Sequence, residues 1–398
     1  MSVASSLGQG CVATLLAVPV ANAQPAEVPA ALTTSPDPAA EPVPGAPAAA
    51  PRPRGPARVR ASANEGFGLD SADGRFGLSF GILGQMRYAV DEDAGTDHGF
   101  SIRLARPMIQ GHVWDRRVVW QIQTEFAGQA RLLDANAIIN IHPAFAILAG
   151  QYRPWFTRGF PTNLPLQALP DRGPVLDSFR VDRDIGVTFL GHPFDGRMEY
   201  YVGVLNGEGV SLSGPRNPQP LLTARLVGAP LGGLGYSQTT AATAKTNLPF
   251  RFAFAANAAT NEVSREGINP GTGAVIPLPD LRTVVVGGDI AVQGWRITAL
   301  AEGFWRSNRQ QDVDASEEWG TYGQISGVVV RKRLEVTARV GAMRLELDLR
   351  AHVPVEPGIN LYVFGNHAKL QLRYRCDIDP SDGDCRSQGG DVQAQLWF

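Results

Sequence analysis

Lysine is almost missing from this chain. Of 36 basic residues in 398, three are lysines (Lys245, Lys332 and Lys369), and all the others are arginines. The 38 acidic residues cancel them, so no net charge draws nucleic acid and no such partner is expected. Also lacking is any apolar run of the about 20 residues that a helix needs to cross a bilayer. The six histidines form no HExxH pair, and there is neither a Gly-x-Ser-x-Gly elbow nor a phosphate-binding glycine loop. These absences leave no catalytic, metal-binding or cofactor-binding residue to nominate, and the expectation is a protein that is not an enzyme. Cysteine is scarce too, limited to Cys11, Cys376 and Cys385.

What is present begins with an export signal. The apolar stretch from Cys11 to Val20 is followed by Ala21-Asn22-Ala23, which reads as a signal peptide over 1–23 with Gln24 as the first mature residue. Met1 to Gly10 carries no Lys or Arg, which leaves an upstream start or the α-amino group to supply the usual positive charge. Cys11 opens the apolar core instead of following it, which argues against lipidation. Residues 24–63 are rich in Ala and Pro, bury too little to order themselves, and read as a disordered periplasmic linker. From 64 to 398 the composition does not shift again, so this is one domain. Setting aside Arg52, Arg54, Arg58, Arg60, Glu27, Asp37 and Glu41 leaves it 32 basic against 35 acidic residues.

That domain alternates apolar and polar residues with period two. Phe76, Leu78, Phe80, Ile82, Met86 and Tyr88 oppose Ser79, Gln85 and Arg87. The same holds for Val118–Phe126, Leu133–Ile141, Trp295–Arg306 and Leu334–Val340. The chain ends on Val392, Ala394, Leu396 and Phe398 against Gln393 and Gln395. The apolar faces often end in Trp, Tyr or Phe, as membrane interfaces favour. Tight links (114–117, 142–144, 192–196, 293–294, 331–333, 366–367) alternate with long polar ones (89–98, 154–180, 206–219, 260–281, 308–318, 347–357, 376–388). The fold class is all-β: a closed antiparallel transmembrane β-barrel of about sixteen strands, at roughly 21 residues per strand, in a bacterial outer membrane. Short turns face the periplasm and long loops the exterior. The stretch 229–249, diluted by Gly and Ala, carries the weakest pattern.

Five short strings resemble one family, in its order, over most of 75–398. They are Gly99-Phe100-Ser101-Ile102-Arg103-Leu104-Ala105-Arg106, Gly150-Gln151-Tyr152-Arg153-Pro154-Trp155-Phe156, Arg183-Asp184-Ile185-Gly186-Val187, Gly203-Val204-Leu205-Asn206-Gly207-Glu208-Gly209 and Gly358-Ile359-Asn360-Leu361-Tyr362. Together they look like the porins named for the phosphate-selective porins O and P. The resemblance implies a sixteen-stranded barrel in outer-membrane lipid, usually a homotrimer. It would pass small anions such as phosphate through an arginine-lined lumen narrowed by an infolded third loop. The clustered lysines of that family's phosphate-binding members have no counterpart here.

On the faces assigned inward, the pore-lining arginines are Arg87, Arg103, Arg225, Arg251, Arg296, Arg306, Arg339 and Arg373, with Arg375 beside them. The third loop adds Arg153, Arg158, Arg172, Arg180 and Arg183. Inward acids are Glu125, Asp134, Glu199, Asp289, Glu302 and Glu335. Two readings remain open: an anion-selecting arginine track, or arginines that brace the wall against carboxylates in a non-selective diffusion porin. A plugged barrel serving as a surface adhesin or anchor is a third. Cys376 and Cys385, outside the cytosol and separated by a Pro- and Gly-containing segment, are expected to close the last long loop as a disulfide. The four aspartates between them suit a solvated loop better than a weak Ca²⁺ site.

Overall fold

The computed structural model describes residues 57–62, 66–92, 97–114, 116–210, 219–268, 275–310, 313–346 and 348–398. The expected signal peptide and most of the linker lie outside the described residues. Two short strands, β1 (Arg58–Ser62) and β2 (Gly66–Asp70), precede those of the wall. The wall itself comprises β3 (Gly77–Asp91), β4 (Asp97–Val113), β5 (Val118–Glu125), β6 (Arg131–His142), β7 (Phe145–Tyr152), β8 (Asp184–Gly191), β9 (Met198–Leu205) and β10 (Gln219–Gly228). It continues as β11 (Leu248–Ile268), β12 (Val275–Trp295), β13 (Ile297–Gln310), β14 (Val313–Val330), β15 (Leu334–Leu345), β16 (Asp348–Phe364), β17 (Ala368–Ile378) and β18 (Cys385–Trp397). Each strand from β3 to β18 pairs antiparallel with its chain neighbour, and β18 pairs back onto β3. The result is a closed barrel of sixteen strands. Closure satisfies every wall strand on both sides, which lipid requires of any spanning sheet.

Burial runs inside out. Gln85, Arg87, Gln121, Glu302, Glu335 and Gln393 are buried, while Ile82, Met86, Ile122, Trp305, Val336 and Leu396 on the opposite faces are exposed. A soluble sandwich would bury the second set, so the medium outside the wall is lipid. Trp114, Phe194 and Trp295 stand exposed in the turns at the end of the barrel where the chain terminates, the periplasmic end. Among the described residues no helix is long and apolar enough to cross a membrane.

Three expectations need correction. The links placed at 260–281, 308–318 and 347–357 are mostly strand, because β11 and β12 run for 21 residues each and β13, β14 and β16 for 14, 18 and 17. About 9–11 residues suffice to span, so these strands continue beyond the bilayer as a tall hairpin. The linker, drawn to residue 63, ends earlier: β1 pairs with β2, and β2 pairs with the start of β3. There β2 continues the line of β18, and Phe398, just after β18, exchanges backbone hydrogen bonds with Ile82 (2.9 and 3.1 Å) and meets the Phe67 ring edge-on at 6.3 Å. Finally, one connection at the periplasmic end, 229–247, is long and folds inward.

Candidate functional site

The third extracellular loop, L3 (153–183), leaves the wall after β7 because prolines at 154, 161, 165, 170 and 174 forbid a continued ladder. It turns into the lumen and builds an apolar core there. Trp155, Phe156, Phe160, Leu176 and Phe179 pack with Tyr201, Phe304 and Tyr322 of the wall. Its short helix α1 (Pro174–Phe179) opens with Pro174 after Gly173, whose φ of 90° suits glycine; a Cβ there would sit 2.6 Å from the Arg339 guanidinium. The Phe179 ring stacks on Phe304 at 5.7 Å, with the Arg306 guanidinium 4.9 Å from its centre.

Three of the five loop arginines serve the loop itself, while Arg158 reaches the 229–247 connection and Arg183 the wall. Arg153, Arg172 and Arg180 stand 5.3, 5.1 and 4.9 Å from the centre of the Phe160 ring. Arg153 and Arg172 also donate to the Phe160 carbonyl (2.6 and 3.2 Å). Arg180 pairs with Asp177, and Arg183 grips Asp134 through two bonds of 3.0 and 2.9 Å. Arg158 donates to the Gly235 carbonyl and lies over the Tyr236 ring.

Besides Asp134, two carboxylates seat L3 against the wall. Glu302 on β13 accepts the backbone N–H groups of Arg158 and Gly159, both at 2.7 Å, and the Tyr322 hydroxyl. On the opposite side Asp171 of L3 reaches the wall and collects three guanidinium groups. It accepts two bonds of 2.9 Å from Arg87, and pairs with Arg103 at 2.5 Å and Arg373 at 2.6 Å. Arg373 in turn meets Glu356 and Asp391 at 2.9 and 2.6 Å, and Arg339 meets Glu356 at 2.6 Å. The Asp171 side chain is 22% exposed, that of Arg87 10% and those of Arg103 and Arg373 at most 4%, so the acid is the most exposed part of this cluster.

Of the eight expected pore-lining arginines, seven point inward and six of these meet a carboxylate. Arg225 pairs with Asp289 (2.6 Å) and Arg306 with Glu318; Arg87, Arg103, Arg339 and Arg373 form the cluster above. Arg251 donates to the Gly233 carbonyl at 2.9 Å. Arg296 is a correction. The turn expected at 293–294 lies two residues later, where Trp295 takes a φ of 51° and Gly294 pairs with Ile297, so Arg296 projects exposed beyond the barrel end. Arg375 is half-buried beside Asp91.

Arg106, buried against Glu125 at 2.5 Å, was missed. Strict alternation cannot place both Arg103 and Arg106 inside, but the register slips between Gln85 and Met86, and the bulge turns both inward. A similar slip opposite Thr124 buries Leu133. The spacing of the two arginines was the signal available.

Cys376 and Cys385 are joined, with Cα atoms 5.6 Å apart, and close the last extracellular loop. Within it Asp379 accepts the Ser381 hydroxyl (2.6 Å) and the Arg386 guanidinium, which together hold its carboxyl below the usual carboxylate range.

No family model matches the chain, and no curated protein matches its sequence. Solved structures do match in fold. The outer-membrane expressed OmpT of Vibrio cholerae is similar with a TM-score of 0.55 at 10% identity, over 81% of this chain and 98% of that one. The anion-selective porin from Comamonas acidovorans (0.52, 9%, 81% and 100%) and the outer membrane channel DcaP of Acinetobacter baumannii (0.53, 13%, 81% and 97%) are similar too. At such identities the likeness establishes an outer-membrane β-barrel and leaves the phosphate-selective family as a resemblance. It also corrects the exclusion of catalysis drawn from missing motifs. The barrel is shared with the OmpT proteins at 9–11% identity, and one fold hosts unrelated functions, so that exclusion is withdrawn.

Proposed function

We propose that the chain is an outer-membrane porin passing small hydrophilic solutes, with a preference for anions such as phosphate. The observation that carries this reading is the inverted polarity of the barrel: guanidinium and carboxylate groups inside, apolar side chains outside. An anchor needs no charged interior, whereas solute passage does. The anion preference rests on the Asp171 cluster. Arg87, Arg103, Arg339 and Arg373 there face Asp171, Glu356 and Asp391, of which Asp171 alone belongs to the loop. When L3 lifts, four cations on the wall face two anions, and a small anion takes the place of the loop carboxylate. A homotrimer is part of the proposal, in keeping with the trimer form described for one OmpT structure. In this reading residues 1–23 direct export and the segment before β1 is a periplasmic linker.

The same ion pairs favour a second reading, in which L3 stays seated, the arginines are braces and the pore is a general diffusion porin. Planar-bilayer recording in a KCl gradient separates them. Wild-type protein is expected to conduct with a reversal potential on the chloride side, and Asp171→Asn to move it further that way. A potential indifferent to that change assigns the arginines to bracing. Silence from both proteins refutes a porin and leaves the surface anchor or adhesin.

A further inference from the structure

The connection between β10 and β11 differs from every other described periplasmic connection of the wall. It spans 229–247, nineteen residues, where the others take six or fewer. It crosses the periplasmic mouth as a strap. At one end the Ala229 N–H donates to the Arg197 carbonyl at 2.7 Å, in the β8–β9 turn. At the other, the Lys332 N–H donates to the Ala242 carbonyl (3.2 Å) and the Thr239 hydroxyl to Asn366 (3.1 Å), reaching the β14–β15 and β16–β17 turns. Between these anchors it climbs until it meets L3. The Gln238 N–H donates to the Leu166 carbonyl at 3.0 Å, the Ala168 N–H to Gln238 Oε1 at 3.2 Å, and the Thr162 hydroxyl to the Tyr236 carbonyl at 2.9 Å. Tyr236 and Gln238 are no more than 8% exposed although they belong to a connecting segment.

The two partners differ in charge. L3 holds eight charged residues in 153–183; the strap holds one, Lys245, and is otherwise Gly, Ala, Thr and other neutral residues. We infer that the channel's narrowest zone has two halves with separate duties: L3 sets the charge preference from outside, and the strap, through Tyr236 and Gln238, sets the size limit from the periplasm. The inference rests on the porin reading and goes beyond it. A neutral segment leaves the field of the lumen nearly unchanged while filling its cross-section, so its removal widens the path without altering which ion is favoured.

The decisive variant replaces 230–247 by a two-residue Asn-Gly turn in the full chain. Single-channel conductance in KCl is expected to rise by about threefold or more, with reversal potential unchanged. Proteoliposomes should begin to swell in raffinose as well as in arabinose. Unchanged conductance and swelling in a variant whose wild type conducts overturns the inference, and a shifted reversal potential overturns the division of duties. A silent wild type with a conducting variant supports the strap as stopper; silence from both is the failure of the porin reading itself. Should the replacement not fold, Tyr236→Ala with Gln238→Ala keeps the connection and removes the two side chains that fill the lumen. Conductance should then rise with the reversal potential unchanged, and conductance equal to that of a conducting wild type overturns the inference.

Discussion

L3 and the strap occupy the same lumen and are held there by opposite means. L3 is seated by charge: Asp171 among three arginines on one wall, Glu302 under two backbone N–H groups on the other, and Arg183 on Asp134. The strap is seated by backbone bonds and neutral side chains of its own, and meets charge through its neighbours: Tyr236 donates its hydroxyl to Glu199 at 2.7 Å, and Arg158 and Arg251 donate to the Gly235 and Gly233 carbonyls. Charged contacts in a dry interior are strong when complete and expensive when halved. A segment tied by them has one seat, or two if a mobile anion can replace one partner. A segment tied by backbone bonds loses them one at a time. The difference assigns L3 to an all-or-none step and the strap to a graded one.

The contrast is most exposed at Phe160. Its removal by Phe160→Ala takes away the ring that three L3 guanidinium groups share, and should destabilise the protein by about 3–5 kcal/mol in urea unfolding followed by Trp fluorescence. Amide exchange should quicken across L3 as a block; a gradual fraying from one end would break the comparison. Glu302→Gln is next. It keeps the shape but removes the charge that accepts the Arg158 and Gly159 N–H groups, a cost of about 1.5–3 kcal/mol. Exchange should rise at those two amides with little change at Tyr236, and an equal rise at Tyr236 would merge the two seats into one. Tyr236→Phe is the mildest, losing one hydroxyl bond to Glu199 for about 1 kcal/mol. Faster exchange confined to the strap sharpens the distinction, whereas faster exchange in L3 erases it.

The legibility of the two segments in the sequence follows the same line. L3 announces itself by its prolines and by the arginines at 153, 158, 172, 180 and 183. The strap shows only a fading of period two, because Gly and Ala suit a tight infolded path as well as a weak strand. Arg296 was misplaced because alternation states which face a residue takes and says nothing about where a strand stops. Arg106 was lost to a bulge, which alternation does not register. The long outer links read as loops because polar residues on a strand beyond the bilayer have water on both faces and no reason to alternate.

The wall, its antiparallel order, its inner and outer faces and the Cys376–Cys385 link were determined by the sequence alone. Each depends on residues that are neighbours along a strand or across one hairpin, and backbone pleating makes such relations periodic. Tertiary structure decided which carboxylate each arginine meets and where the two infolded segments sit. Asp171 finds Arg103, Arg87 and Arg373 at sequence separations of 68, 84 and 202. No local pattern encodes such distances; they are set when the barrel closes and brings its far walls within reach of one loop.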